Sequence, residues 1–260
     1  MILIEKTTNR EAFIEKAFEQ AKIYEFIKDK EKVFIKPNIV SSEEYPTTTH
    51  PFTLQKCLEL LLKHKNKESI LVGDGPAFDA GDSQKIIEKH PLKRVADNFG
   101  VKFINLNKAP KIKKKIQGLT FEIAKPVLEA DFIISLPVLK THKICKITGA
   151  MKNQYGVLSP KNKLKYHLPL YNIHKAIVLL NKLINVDFWI VDAIETMISA
   201  QERRHGGRKA KLGYMLAGTN PLELDIEGFN LLKKVDPGLK NLESDDVPQI
   251  KWAKKIFYNL

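Results

Sequence analysis

The sequence predicts an α/β protein, a three-layer sandwich with a mainly parallel central sheet, and three observations predict it. Short polar knots follow apolar, strand-like runs six times, at Lys36 to Asn38, Thr49 to Pro51, Gly73 to Pro76, Leu139 to His142, Val191 to Glu195 and Ala217 to Asp225. Between the knots lie stretches whose apolar residues recur at helical spacing. Capping residues followed by proline mark where several of those helices begin. Parallel strands of an open sheet deliver their carboxyl ends to one edge, where ligands bind, so the ionisable residues of the knots are expected in one crevice.

Taken in order, Ile2 to Ile4 reads as a short opening strand, and Asn9 starts a helix with Phe13, Ile14, Ala17, Phe18, Ala21 and Tyr24 on its apolar face. Lys32 to Ile35 is a β-branched and aromatic run that stops at Pro37, which has no ladder donor. Pro51 suits the first turn of a helix striped by Leu54, Cys57, Leu58, Leu61 and Leu62, with His50 at or beside its N-cap. Ser69 to Val72 is a buried strand leading to Gly73-Asp74-Gly75-Pro76, where two glycines permit unusual turns or close backbone approach to a ligand. A helix from Asp82, interrupted near Pro91, precedes the strand Val101 to Leu106. Residues 108 to 125 are Lys-rich with short alternation and predict a small β-hairpin insertion. Asp131 to Leu136 is the clearest buried strand; Asp187 to Val191 and Tyr214 to Ala217 follow, with helices over Leu168 to Leu183 and Pro221 to Lys233. Strands separated by helices favour a parallel sheet covered on both faces.

A chain of 260 residues, 43% hydrophobic and 28% charged, fits a single α/β domain over 1–260. Charged residues within the first dozen positions leave no apolar leader, and no later run approaches a bilayer span, so a cytoplasmic protein without a membrane partner is expected. Cys57 and Cys145 are too few and too far apart for a disulfide framework, a zinc knuckle or an iron–sulfur cluster. Cys57 falls on a helical apolar stripe, whereas Cys145 falls in a polar loop. The formal net charge of +13 attracts phosphate-bearing partners. It is concentrated in Lys111 to Lys115, Lys161 to Lys165 and the loop 201–211, yet no nucleic-acid motif accompanies it, so solvated lysine faces are the plainer reading.

The stretch from Leu136 to Leu158 carries the most chemistry. It leaves a strand, presents Lys140 and His142 on the same side of extended chain, and starts a short helix at Thr148-Gly149 that ends at Gly156. A helix N-terminus offers unpaired N–H groups to an anion, and Gly149 leaves the approach open. Lys152 and Asn153 in its first turns, with Lys36 and Asn38, would complete a site for phosphate or carboxylate. Each residue also has a structural role to weigh against this one. His50 and Asn220 suit helix caps, Asp74 suits an Asx-turn, Lys36 suits a strand exit and His167 suits a loop. His64, His90 and His174 are assigned to helix surfaces.

KPN at 36 to 38, THP at 49 to 51, GDGP at 73 to 76, LKTH at 139 to 142, TGAMKNQYG at 148 to 156, His167, VDAI at 191 to 194 and AGTNPLELD at 217 to 225 together resemble the family catalogued as domain of unknown function 362. The resemblance covers nearly the whole chain. It implies a redox setting for some members, which carry an attached ferredoxin-type cysteine segment; this chain has none, so no cluster carries over. Members tend to show a Gly-Pro pair after VDAI. Here the run is Glu202 to Arg208, ERRHGGR, and no role carries over to it.

Three classes of function follow. The first is an enzyme for a small anionic metabolite, with Lys140 and His142 catalytic and Lys36, Asn38, His50, Asp74, Thr148, Gly149, Lys152, Asn153 and His167 binding substrate. Clustered cations are expected to lower the pKa of Lys140. A metal-dependent variant places a divalent ion among Asp74, Asp192 and Asp225. The second class is a redox component working with a separate ferredoxin-like partner, and the third a basic nucleic-acid-binding or interaction module.

Overall fold

The computed structural model describes residues 1–258. Strand β1 (Ile2–Lys6) leads to helix α1 (Arg10–Gln20), capped by Asn9, whose side chain accepts from the Ala12 N–H. Phe13, Ile14, Ala17 and Phe18 bury one face of α1. The short α2 (Ile23–Ile27) precedes β2 (Val33–Pro37), which is buried along its whole length. Helix α3 (Pro51–Leu62) follows, then β3 (Ile70–Asp74), α4 (Ser83–Lys89), α5 (Pro91–Asn98) and β4 (Lys102–Asn105). The break between α4 and α5 falls where Pro91 lacks an N–H and holds His90 extended. His90 is a buried cap, not a surface residue: its Nδ1 accepts from the Leu92 N–H.

Strands β5 (Lys111–Ile116) and β6 (Leu119–Ala124) pair antiparallel as a separate hairpin within the 108–125 segment. The chain continues through α6 (Lys125–Leu128), β7 (Phe132–Leu136), a second small hairpin of β8 (Lys140–His142) and β9 (Lys146–Thr148), and α7 (Ala150–Asn153). Gly156 does not end α7 as a left-handed cap; it lies within a 3₁₀ turn, Gln154–Val157. Helices α8 (Pro160–His167) and α9 (Ile173–Leu183), strands β10 (Phe188–Ile198) and β11 (Arg208–Gly218), and helices α10 (Pro221–Leu232) and α11 (Pro248–Tyr258) complete the described chain. The single helix expected over Leu168 to Leu183 starts only at Ile173, because Asn172 caps it and Pro169 interrupts the approach.

Seven strands form one sheet in the order β1-β11-β10-β7-β2-β3-β4. Neighbours from β10 to β4 are parallel, whereas β11 runs antiparallel to both β10 and β1. The sheet is thus mainly parallel, and helices cover both faces. Phe34 and Ile133 point into one apolar core with α9, α10 and α11. Val33, Ile35, Ile134 and Leu136 point into the other, with α1, α3 and α5. Alternate residues of one strand feed opposite cores, which is why these strands read as continuous apolar runs. The antiparallel course of β11 corrects one expectation. Gly218 registers with Trp189 near the start of β10, so the knot from Ala217 to Asp225 begins at the edge opposite the other five.

Candidate functional site

The segments that follow β2 and β3, together with the β8–β9 hairpin, α7 and α8, enclose a cavity of about 420 Å³. Asn38, Asp74, Lys140, His142, Thr148, Lys152, Asn153 and His167 all line it, so eight expected site residues from four separate stretches are brought together. Lys36 stands directly behind them. Its Nζ donates to Asp74 Oδ1 at 2.7 Å and to the Pro37 carbonyl at 3.0 Å. Asp74 is fully engaged: Oδ1 also accepts from the Gly75 N–H at 2.8 Å and Oδ2 from the Ile39 N–H at 2.6 Å. Burial lowers the pKa of Lys36 while Asp74 opposes that shift. A buried pair of this kind adds little net stability; it joins the carboxyl end of β2 to that of β3.

Four lysines line the cavity: Lys143 is exposed, and Lys140, Lys152 and Lys163 are buried. Lys140 Nζ donates to Asn38 Oδ1 at 3.0 Å and to the Thr47 carbonyl at 2.5 Å. Burial is the main cause that lowers its pKa to about 7, and Lys152 adds to the shift; neighbouring cations are secondary, contrary to the expectation from sequence. Lys163, on α8, was assigned by its basic run to a solvated face. It is instead buried, with Nζ donating to the carbonyls of Gly75 and Pro76 at 2.7 and 3.0 Å and to Asn107 Oδ1 at 2.7 Å, and burial lowers its pKa to about 7. Lys152 differs from the others. Its ammonium lies 4.6 Å from the centre of the Tyr155 ring and has no hydrogen-bond or ion-pair partner among the described residues, although burial lowers its pKa too.

Of the three histidines that line the cavity, His142 and His167 are held in opposite tautomers. His142 Nδ1 accepts from the N–H groups of Ile144 and Cys145 at 3.1 and 3.2 Å, so the proton of the neutral ring sits on Nε2. His167 Nδ1 lies 2.7 Å from the Lys163 carbonyl, an acceptor only, so here Nδ1 carries the proton and Nε2 the lone pair. Burial keeps both rings neutral, lowering His142 well below its usual value and His167 to about 4. The Thr148 hydroxyl, also buried, has no partner among the described residues.

Several expected site residues go elsewhere. The N–H groups of Ala150 and Met151 at the start of α7 donate to the two carboxylate oxygens of Asp225, at 2.6 and 3.3 Å, so that helix end is already occupied. Gly149 makes room for Asp225 Oδ1, which a Cβ would strike, and not for a ligand. His50 caps α3 through Nδ1, accepting from the Phe52 N–H at 3.2 Å, and does not line the cavity. Asp192 accepts from Arg10 Nε at 2.7 Å and the Tyr45 hydroxyl at 2.8 Å. Of the three carboxylates considered for a metal, only Asp74 lines the cavity, and both its oxygens already accept hydrogen bonds, one of them from the Lys36 ammonium; no group of metal-ligating side chains occurs among the described residues. Cys145 is buried in the turn of the second hairpin, and its thiol is pushed up to about 11.

The family model described as Domain of unknown function (DUF362) matches residues 33–230, a span that contains every residue lining this cavity. The chain belongs to that family. A thylakoid-associated protein of Synechocystis sp. is 22% identical over 218 residues, covering 82% of this chain and 66% of that protein. The lactate racemase apoprotein of Thermoanaerobacterium thermosaccharolyticum superposes with a TM-score of 0.58 at 17% identity, over 90% of this chain and 57% of that one. The present chain therefore spans about two thirds of the first relative and little more than half of the second. At that identity the likeness to the racemase is one of fold.

In this DUF362 chain the run after VDAI, where family resemblance fails, is part of the cavity. Gln201, Glu202 and His205 line it. Arg204 holds the loop in place: Nε donates to Glu202 Oε2 at 2.7 Å, while NH2 donates to Asp79 Oδ1 at 2.9 Å across the mouth. Glu43 accepts from the N–H groups of Arg203 and Arg204, both at 2.9 Å. Nothing in the residue types of this run distinguished it from a solvated basic loop.

Proposed function

We propose that the protein is an enzyme that binds a small anionic metabolite in this cavity and moves a proton on it. One observation carries the reading: Lys152 and His142 line one cavity, and the buried Lys152 ammonium has no hydrogen-bond or ion-pair partner among the described residues. Glu202 acts on Lys152 only at a distance, and a buried cation without a contacting partner is unfavourable, so an anion entering the cavity supplies the missing contact. Lys140 suits proton transfer, because a pKa of about 7 makes amine and ammonium both accessible near neutrality. His142 suits another role. With Nδ1 accepting two backbone N–H groups, loss of the Nε2 proton would leave an imidazolate, so His142 acts as a hydrogen-bond donor to developing negative charge. His167 offers an unprotonated Nε2 beside it. The structural neighbour's name, lactate racemase, denotes an enzyme of a small carboxylate, which agrees in ligand class.

The test is a thermal-shift screen against carboxylated and phosphorylated metabolites, with Lys152→Met in parallel. A ligand at a hundredfold excess over its Kd stabilises by about 2.7 kcal/mol. The expected result is a hit that vanishes in Lys152→Met and a turnover that vanishes in Lys140→Met. Equal shifts in wild type and Lys152→Met defeat the anion site.

A further inference from the structure

Behind the anion-binding donors the cavity has a second character. The Tyr155 ring that lies under the Lys152 ammonium meets the His167 ring at 5.3 Å between centroids, and His167 meets Phe78 at 5.4 Å. These three rings form a continuous wall from the buried cation to the surface, where Phe78 is 38% exposed. Ile144, which also lines the cavity, is 50% exposed. Two large apolar side chains left in water at the mouth, joined by a ring wall to a buried cation, make a gradient from charged floor to apolar rim. The volume of about 420 Å³ is that of a site for a drug-sized ligand, roughly 300–1,000 Å³, and a three-carbon acid would fill only a corner of it.

The charge of the head group can be read from the same walls. Lys152 is the one buried lysine of the cavity whose ammonium has no hydrogen-bond or ion-pair partner among the described residues, and with the neutral His142 donor beside it the floor suits the one charge of a carboxylate; Lys143 also lines the cavity but is exposed. Glu202 and Asp79 also line the cavity, each paired with Arg204.

We infer that the ligand is a carboxylate with an apolar body, its head group held by Lys152 and His142 and its alkyl or aryl portion lying along Tyr155, His167 and Phe78 and leaving past Ile144. This rests on the anion-site reading above and narrows it to a substrate class.

The test is calorimetric titration with straight-chain carboxylates from propionate to decanoate, all below micelle-forming concentrations, with the matching n-alkanols as neutral controls. Affinity is expected to rise about fourfold for each methylene buried along the wall. A Phe78→Ser/Ile144→Ser variant should flatten that rise. Lys152→Met should abolish binding across the series. If propionate and decanoate bind alike and both need Lys152, the apolar-body inference fails and the anion site stands. If no carboxylate binds in a Lys152-dependent way, or the alkanols bind as tightly as the acids, the anion site itself fails and this inference with it. The chain-length series is read on the unaltered protein, so the outcome does not depend on any variant folding.

Discussion

Lys140 is fully buried, and among the described residues its ammonium is received only by Asn38 Oδ1 and the Thr47 carbonyl, so desolvation of the charged form dominates and its pKa falls from 10.5 to about 7. Between those two values the unfolded chain holds a proton that the folded chain has lost, and stability therefore rises with pH across that window. Lys163 contributes in the same direction for the same reason. Replacing Lys140 with Met should reduce the slope by up to about 1.4 kcal/mol per pH unit, leaving the share due to Lys163. Urea denaturation of both proteins at several pH values within the window checks this, and equal slopes would show that the folded amine titrates normally. The activity proposed for the site depends on the same property. A Lys140 held near neutrality can exchange a proton, whereas one paired with a carboxylate, as Lys36 is with Asp74, cannot do so cheaply.

At the scale of elements, the short α7 is placed by packing against a carboxylate. Asp225 reaches across from α10 to the N–H groups of Ala150 and Met151, and Gly149 leaves the space it occupies. Gly156 does the same for Asp74 and Lys36. Gly149→Ala and Gly156→Ala should each destabilise by about 1–3 kcal/mol, the usual range for overpacking. The cost of Gly149→Ala should shrink in an Asp225→Ala background, since the colliding group is gone; additive losses in that double-mutant cycle would argue against the steric account. The same elements show what could be read beforehand. Lys36, Asp74, Lys140 and His142 were legible because proline, glycine and capping residues mark strand exits, and strand exits of a parallel sheet converge. The role of Gly149 was misread because its partner lies 76 positions later in the chain, and a glycine looks the same beside a ligand or a carboxylate. Helix α8 and Lys163 escaped because Leu164 and Tyr166 stand among lysines and give no clear apolar stripe, and the lysine head is buried through backbone carbonyls that no local pattern specifies.

The whole molecule explains why the loop after β10 matters although its sequence gave no functional signal. Five parallel strands carry β2 and β3 to the cavity, and β10 extends beyond its pairing with β7 before the chain turns through residues 199–207. That turn meets two segments from the first third of the chain: Glu43 takes the N–H groups of Arg203 and Arg204, and Asp79 takes the Arg204 side chain. Ion pairs this exposed contribute only about 0.2–1 kcal/mol each, so the closure is a latch and not a pillar of stability. Arg204→Ala should therefore leave the urea midpoint nearly unchanged while it speeds hydrogen exchange of the amides in 200–207 and raises both the association and dissociation rates of a bound carboxylate in stopped-flow measurements. Unchanged exchange in that segment would mean that the Glu43 contacts alone hold the loop closed. A loss of global stability would mean that Glu202, buried beside the cavity, needs its arginine for folding and not for access.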